Sequence, residues 1–197
     1  MVDAPIDRQV SALELVLTGS EVTSTILERA PRLGLPHWYL GAGAVAGSVW
    51  NLLHGFDPRH GITDFDLVYF DSEDVTAEAE ASNERRANEI FADLGVRLDV
   101  KNEARVHVWY AARFGRSIPP YGSTEQAIST WPTTASSVGV RHDDGGFVVC
   151  APFGLRDLFA MVVRPNKAII DQGIYEAKAS RWAGEWPRLH VLPWQHP

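Results

Sequence analysis

Ile62-Thr63-Asp64-Phe65-Asp66-Leu67-Val68-Tyr69-Phe70-Asp71 sets two carboxylates inside an apolar run rich in β-branched and aromatic residues. Such a run predicts a strand. Side chains of a strand alternate faces, so Asp64 and Asp66 point the same way with Cα atoms roughly 6.6 Å apart, and Phe65 and Leu67 take the opposite face. Like charges side by side on a sheet face repel, and burial adds a desolvation cost, so a fold that keeps them there supplies a compensating cation. A divalent metal is the simplest one. The other reading of Asp-X-Asp is a solvated strand end at which nothing binds.

Outward from that stretch, 197 residues with 45% apolar content suffice for one domain around a hydrophobic core. A formal charge of −7 argues against tight, sequence-independent nucleic-acid binding, which needs a basic footprint, and leaves a small substrate as the easier partner. The single cysteine, Cys150, excludes an internal disulfide and a cysteine-based zinc site. No basic start followed by an apolar segment is seen, and no run approaches ~18 apolar residues, so the expected location is the cytoplasm, with no membrane partner.

Residues 1–36 read as a helical N-terminal extension of two amphipathic helices, Arg8 to Val16 and Ser20 to Leu33, with Leu13, Leu15, Val22, Ile26 and Leu33 facing inward and Ser20 capping the second. Residues 37–110 read as the core. A short aromatic strand, His37 to Leu40, runs into the small-residue segment Gly41-Ala42-Gly43-Ala44, which opens a helix reaching Trp50 and Asn51. Small residues at a helix start let backbone N–H groups approach an anion closely, and they equally serve plain close packing. The spacing is neither a Walker loop nor a Rossmann fingerprint. A polar helix through Leu94 ends at Gly95, a strand Val96 to Lys101 carries Asp99, and Val106 to Tyr110 is expected to be a further strand. Residues 111–197 complete the core: a Gly/Pro-rich loop, a short helix capped by Ser123 with Gln126, a hydroxyl-rich run Trp131 to Ser137, a hairpin turning at His142 to Gly146, a helix Phe153 to Val163 ending at Arg164-Pro165-Asn166, and a last helix Asp171 to Trp182. The hydroxyls of 131–137 suit either a ligand or the capping of their own backbone.

The order strand, small-residue helix, Asp-X-Asp strand, helix, strand with one Asp resembles the nucleotidyltransferase superfamily with the polymerase-β-like palm fold. More narrowly, Trp50-Asn51, Asp64 to Asp71, Trp131-Pro132-Thr133-Thr134, Ala151 to Leu155, Arg164-Pro165-Asn166 and Trp186-Pro187 are similar to a small bacterial family of nucleotidyltransferases, over about Trp38 to Pro193. The resemblance implies an α+β fold: a mixed sheet of about five strands flanked by helices, with helical additions at both termini and carboxylates converging at one sheet edge. It implies Asp64, Asp66 and Asp99 as catalytic and metal-holding carboxylates for Mg²⁺ (or Mn²⁺), and Gly43 as the turn glycine. Gly41, Gly43 and Ala44 would contact the phosphates of a nucleoside triphosphate, with ATP the default donor, and Arg164 is either a further phosphate clamp or a complement to a helix dipole. The acceptor would be a hydroxyl of a small molecule or a protein. Two alternatives stay open: an inactive nucleotide- or metal-binding module, and a toxin-like tRNA nucleotidyltransferase. Ala44 stands where the superfamily usually has Gly or Ser, and the gap from Gly43 to Asp64 is longer than usual, implying an extended loop.

Overall fold

In the computed structural model, which describes residues 1–195, the strand predicted from Ile62 to Asp71 is β2, Phe65–Tyr69, so Asp64 lies immediately before it. The final two residues of the predicted C-terminal part, 196–197, fall outside the described residues. Two helices come first, α1 (Ile6–Thr18) and α2 (Glu21–Arg29), followed by β1 (Tyr39–Gly41), α3 (Ala42–His54), β2, α4 (Ala77–Ile90) and β3 (Leu98–Asn102). Then come α5 (Val106–Phe114), α6 (Thr124–Ile128), β4 (Gly139–Asp143), β5 (Gly146–Cys150), α7 (Arg156–Phe159), β6 (Val162–Val163), α8 (Gln172–Glu185) and β7 (His190–Val191). The main sheet has five strands in the order β3-β2-β1-β4-β5, and β6 with β7 forms a small parallel pair. It is mixed: β2 and β3 run parallel, whereas the β1–β2, β1–β4 and β4–β5 pairs are antiparallel. The α+β class and the five-stranded mixed sheet are therefore as predicted.

Pairing register sorts the side chains of this sheet by face. Asp66 lies opposite Asp99 on β3 and opposite Gly41 on β1, and Val68 lies opposite Lys101 and Tyr39. These residues share one face. Phe65, Leu67, Tyr69, Leu98 and Val100 take the other and are closed to solvent, where they join α1, α2 and α3 in the main core. Trp50 of α3 anchors that core, with Trp182 and Trp186 set edge-on to its ring at 5.1 and 5.2 Å between centroids. Asn51 is fully buried; it donates to the carbonyls of Pro58 and His60 and accepts the Trp186 indole N–H at 2.6 Å. The Trp50-Asn51 and Trp186-Pro187 motifs thus fasten the long 55–61 loop to the C-terminal helix.

Four local expectations are corrected. Leu15 is 73% exposed, and Leu17 takes the inward place one helical turn after Leu13. Ser20 does occupy the N-cap of α2, but its side chain makes no capping bond. Val106 to Tyr110 is helical, not extended: Val106, Tyr110 and Phe114 recur four residues apart and cluster, with the Tyr110 and Phe114 rings 4.6 Å apart, and Gly115 closes the helix at φ +73°. Phe153 to Val163 holds only the single turn of α7; Met161 turns left-handed (φ +55°), and the β-branched pair Val162–Val163 then joins β7 ahead of Pro165. Among the described residues no single helix is long and apolar enough to cross a membrane. The one bent pair of sufficient length, Ile6–Thr18 with Glu21–Leu33, is folded by 102° and buries Leu13, Leu17 and Ile26 in the core.

Candidate active site

The carboxylate face of β2 and β3 opens into a cavity of about 730 Å³, within the size range of small-molecule sites. Asp66 and Asp99 stand side by side across the parallel pair, and Ala42, Lys101 and Lys178 line the cavity near them. The β1–α3 turn is bent to meet Asp66. Ala42 takes φ +53°, a strained value for a residue with a Cβ, and its N–H donates to the Val138 carbonyl at 3.2 Å. The next N–H, that of Gly43, donates to the Asp66 carboxylate. Burial pushes Asp66 up to about 6; Asp64 and Asp99 beside it act in the same direction, and the Lys178 ammonium and the Gly43 N–H oppose them.

Each predicted site residue has a definite place. Asp64 lies just before β2, is half-buried, and accepts the Thr63 hydroxyl at 3.1 Å. Asp99 is paired with Lys101 at 2.6 Å, and Lys101 also reaches Glu84 at 3.2 Å. Among the described residues no three acidic, histidine or cysteine side chains already close around one point. The donor set nevertheless fits a divalent ion: the groups are hard carboxylate oxygens, two of them in register, and burial, with like-charge crowding behind it, raises Asp66. Gly41 has the Trp131 ring against it, where an added Cβ would come within 2.6 Å of the indole. The space around Gly43 is open. Ala44 is fully buried in the main core, so its methyl group is turned away from the cavity. Arg164 is outside the cavity lining; its Nε donates to Asp157 at 2.8 Å.

Most hydroxyls of the 131–137 run serve their own loop. Thr133 and Ser136 share a hydrogen bond at 2.9 Å, Ser137 donates to the Thr133 carbonyl, and Thr134 donates to Asp157. Asn166 donates to the carbonyls of Ser129 and Trp131, and Thr133 bridges to Pro165. The Trp131-Pro132-Thr133-Thr134 and Arg164-Pro165-Asn166 motifs are thus two halves of one clamp that holds the Trp131 ring over Gly41.

Two side chains matter more than the sequence suggested: Lys178, which it offers with Lys167 only as a weaker candidate for triphosphate contact, and Glu103, which it does not single out. Lys178 of α8 faces Asp66 and Asp64 and lies 4.8 Å from the centroid of the Trp182 ring; burial pushes its pKa down. Glu103, in the 3₁₀ turn Glu103–Arg105 after β3, is only 6% exposed and lines the same cavity. Burial, then Asp66 and Glu80, push it up to about 8, against the Trp131 indole N–H that donates to it. The signal for Glu103 was the four-residue spacing of Val106, Tyr110 and Phe114, which makes the segment after it a cavity wall and not an edge strand. Beyond Glu103 the walls are Val106, Trp109, Tyr110, Tyr121 and Ile170.

The nucleotidyltransferase family profile matches residues 28–191, which takes in both carboxylate strands and the lysine-bearing α8. The chain belongs to the nucleotidyltransferase family. A protein whose NMR structure reveals a CCA-adding enzyme head domain superimposes on this nucleotidyltransferase with a TM-score of 0.76, at 26% identity, over 91% of this chain and 95% of the other. No curated protein matches the chain.

Proposed function

We propose that this nucleotidyltransferase moves a nucleoside monophosphate from a nucleoside triphosphate, ATP by default, to a hydroxyl of a small-molecule or protein acceptor. The observation that carries the reading is the in-register pair Asp66 and Asp99 across parallel strands, with Asp64 two residues before Asp66 and the Gly43 N–H bound to Asp66. Asp64, Asp66 and Asp99 would hold Mg²⁺ or Mn²⁺, which when bound neutralises charge on the attacking and leaving oxygens. In the reaction the acceptor oxygen bonds to the α-phosphorus, the bond to pyrophosphate breaks, and the hydroxyl proton leaves to a carboxylate or to solvent. The chain's own cations have roles in this scheme: Lys178 balances Asp66 and Asp64 in the free protein and is placed to meet the triphosphate, while Lys101 holds Asp99 in the pair. The open space at Gly43 admits a phosphate beside the start of α3.

The likeness to a CCA-adding enzyme head keeps a nucleic-acid end among the acceptors to be tested, and the net charge of −7 places it behind a small molecule. The deciding experiment is calorimetric titration of a non-hydrolysable analogue of each triphosphate, with and without Mg²⁺, into the wild type and Asp66→Asn. Metal-dependent binding that disappears in the variant supports the proposal. Absence of binding to every triphosphate would leave the fold without its donor and favour the inactive-module reading.

A further inference from the structure

The acidic groups along the cavity wall are matched with cations, except one. Asp99 has Lys101 at 2.6 Å, Glu80 has Arg105 at 2.7 Å, and Asp66 faces Lys178. Glu103 makes no ion pair among the described residues. The groups around its carboxyl are the Trp131 indole N–H, the carboxylates Asp66 and Glu80, the Tyr121 phenol and, with the weakest effect, Lys101. It is buried and it faces open space; burial favours its neutral form in the free protein, and a cation docking beside it would favour the carboxylate, so the corner rewards a cation and not an anion.

The walls specify the chemistry further. Trp131, Tyr121, Tyr110 and Trp109 line the cavity, and a carboxyl group among aromatic rings suits a protonated amine, which gains a charge-assisted hydrogen bond and, over a ring face, cation–π attraction. A phosphate or carboxylate would be repelled there by Glu103, Glu80 and Asp66. The triphosphate is better accommodated beside a cation, at Lys178, with the Gly43 N–H near it. We propose that the Glu103 corner binds an ammonium group of the acceptor, so that the acceptor is a small amino-bearing molecule whose hydroxyl reaches the Asp66–Asp99 pair. This rests on the functional reading above, which assigns Gly43 and Lys178 to the donor. A cavity of about 730 Å³ has room for a compact acceptor.

The test uses the full chain, isotopically labelled, without metal or nucleotide, at pH 8.5, above the raised pKa of Glu103, and follows the Trp131 indole N–H by NMR while benzylammonium chloride is added at constant ionic strength. Benzyl alcohol, of the same shape without the charge, is titrated in parallel. The expected result is a saturable Trp131 shift with the ammonium bound at least about tenfold more tightly than the alcohol, and a loss of that gap in Glu103→Gln, which keeps the size of the side chain and an acceptor for the indole. Equal binding of the two probes, no saturable shift, or an ammonium preference that survives Glu103→Gln would overturn it. The comparison of probes on the wild type stands even if the variant fails to fold. Because no triphosphate is present, a negative result here leaves the donor titration untouched, and failure of that titration leaves this one readable.

Discussion

The two faces of the β2–β3 pair are made by alternate residues of the same ten positions, yet they are solvated differently. On one face Phe65, Leu67, Tyr69, Leu98 and Val100 are sealed under helices; on the other Asp66, Asp99 and Lys101 border an open cavity. A single strand thus has one side set by packing and one by charge. Changes on the two faces should fail by different readouts, one in rate and one in stability.

The largest expected effect tests that separation. Asp66→Asn removes the central carboxylate, and if the site is metal-dependent the nucleotidyl-transfer rate falls by about 10³-fold, equivalent to ~4 kcal/mol of transition-state stabilisation. The melting temperature of the metal-free protein should hold or rise, since Asp66 is raised to about 6 by burial and crowding. Leu67→Ala, one residue along, should do the reverse: a fully buried leucine lost to alanine costs about 2–5 kcal/mol in chemical denaturation, with the activity of the remaining folded protein little changed. A large stability loss in Asp66→Asn, or a large rate loss in folded Leu67→Ala, would break the comparison.

Glu103 adds a pH dependence to the charged face. Its folded pKa of about 8 lies above the ordinary 4.5, so the folded state holds this proton more tightly than the unfolded one. The stability contributed is greatest below about 4.5 and declines as the pH rises through about 8. Thermal unfolding of metal-free protein at pH 5 and pH 8.5 should show the wild type losing stability relative to Glu103→Gln across that window, and parallel curves would place the Glu103 carboxyl in water. The smallest effect sharpens a boundary of the cavity. Val108 is 57% exposed on α5, and Val108→Ala should stabilise the protein by about 0.5 kcal/mol through helix propensity, whereas on a strand the same change would destabilise it.

What could be read from the residues follows the range of each signal. The alternation of Asp64, Phe65, Asp66 and Leu67 is local and survives folding, so the strand, its buried face and its carboxylates were visible in a few letters. The β3 carboxylate was visible for the same reason. The wall opposite was not, because Val106-His107-Val108-Trp109-Tyr110 over five residues satisfies strand preferences as well as helical ones, and only the longer repeat through Phe114 distinguishes them. Leu15 was misplaced because the apolar run Leu13, Leu15, Val16, Leu17 offers more inward candidates than one helix face can bury. Lys178 and Glu103 gain their significance from what they face, which lies on β2 in one case and in the Trp131 loop in the other. Proximity of that kind is a product of topology, not of spacing. The family motifs at Trp50-Asn51, Trp131 to Thr134 and Arg164 to Asn166 prove to be fastenings: they mark the fold, and the groups facing the cavity are placed by them.

The position of Lys178 on the last long helix also sets an order of events during synthesis. The strands that carry Asp66 and Asp99 leave the ribosome well before the helix that carries the ammonium facing them. A nascent chain therefore holds its acidic pair without that counter-ion, as a conspicuous magnet for solution cations, and Asp66 meets its ammonium only when α8 docks. The charge balance at Asp66 is thus set by a helix made long after the strand it serves.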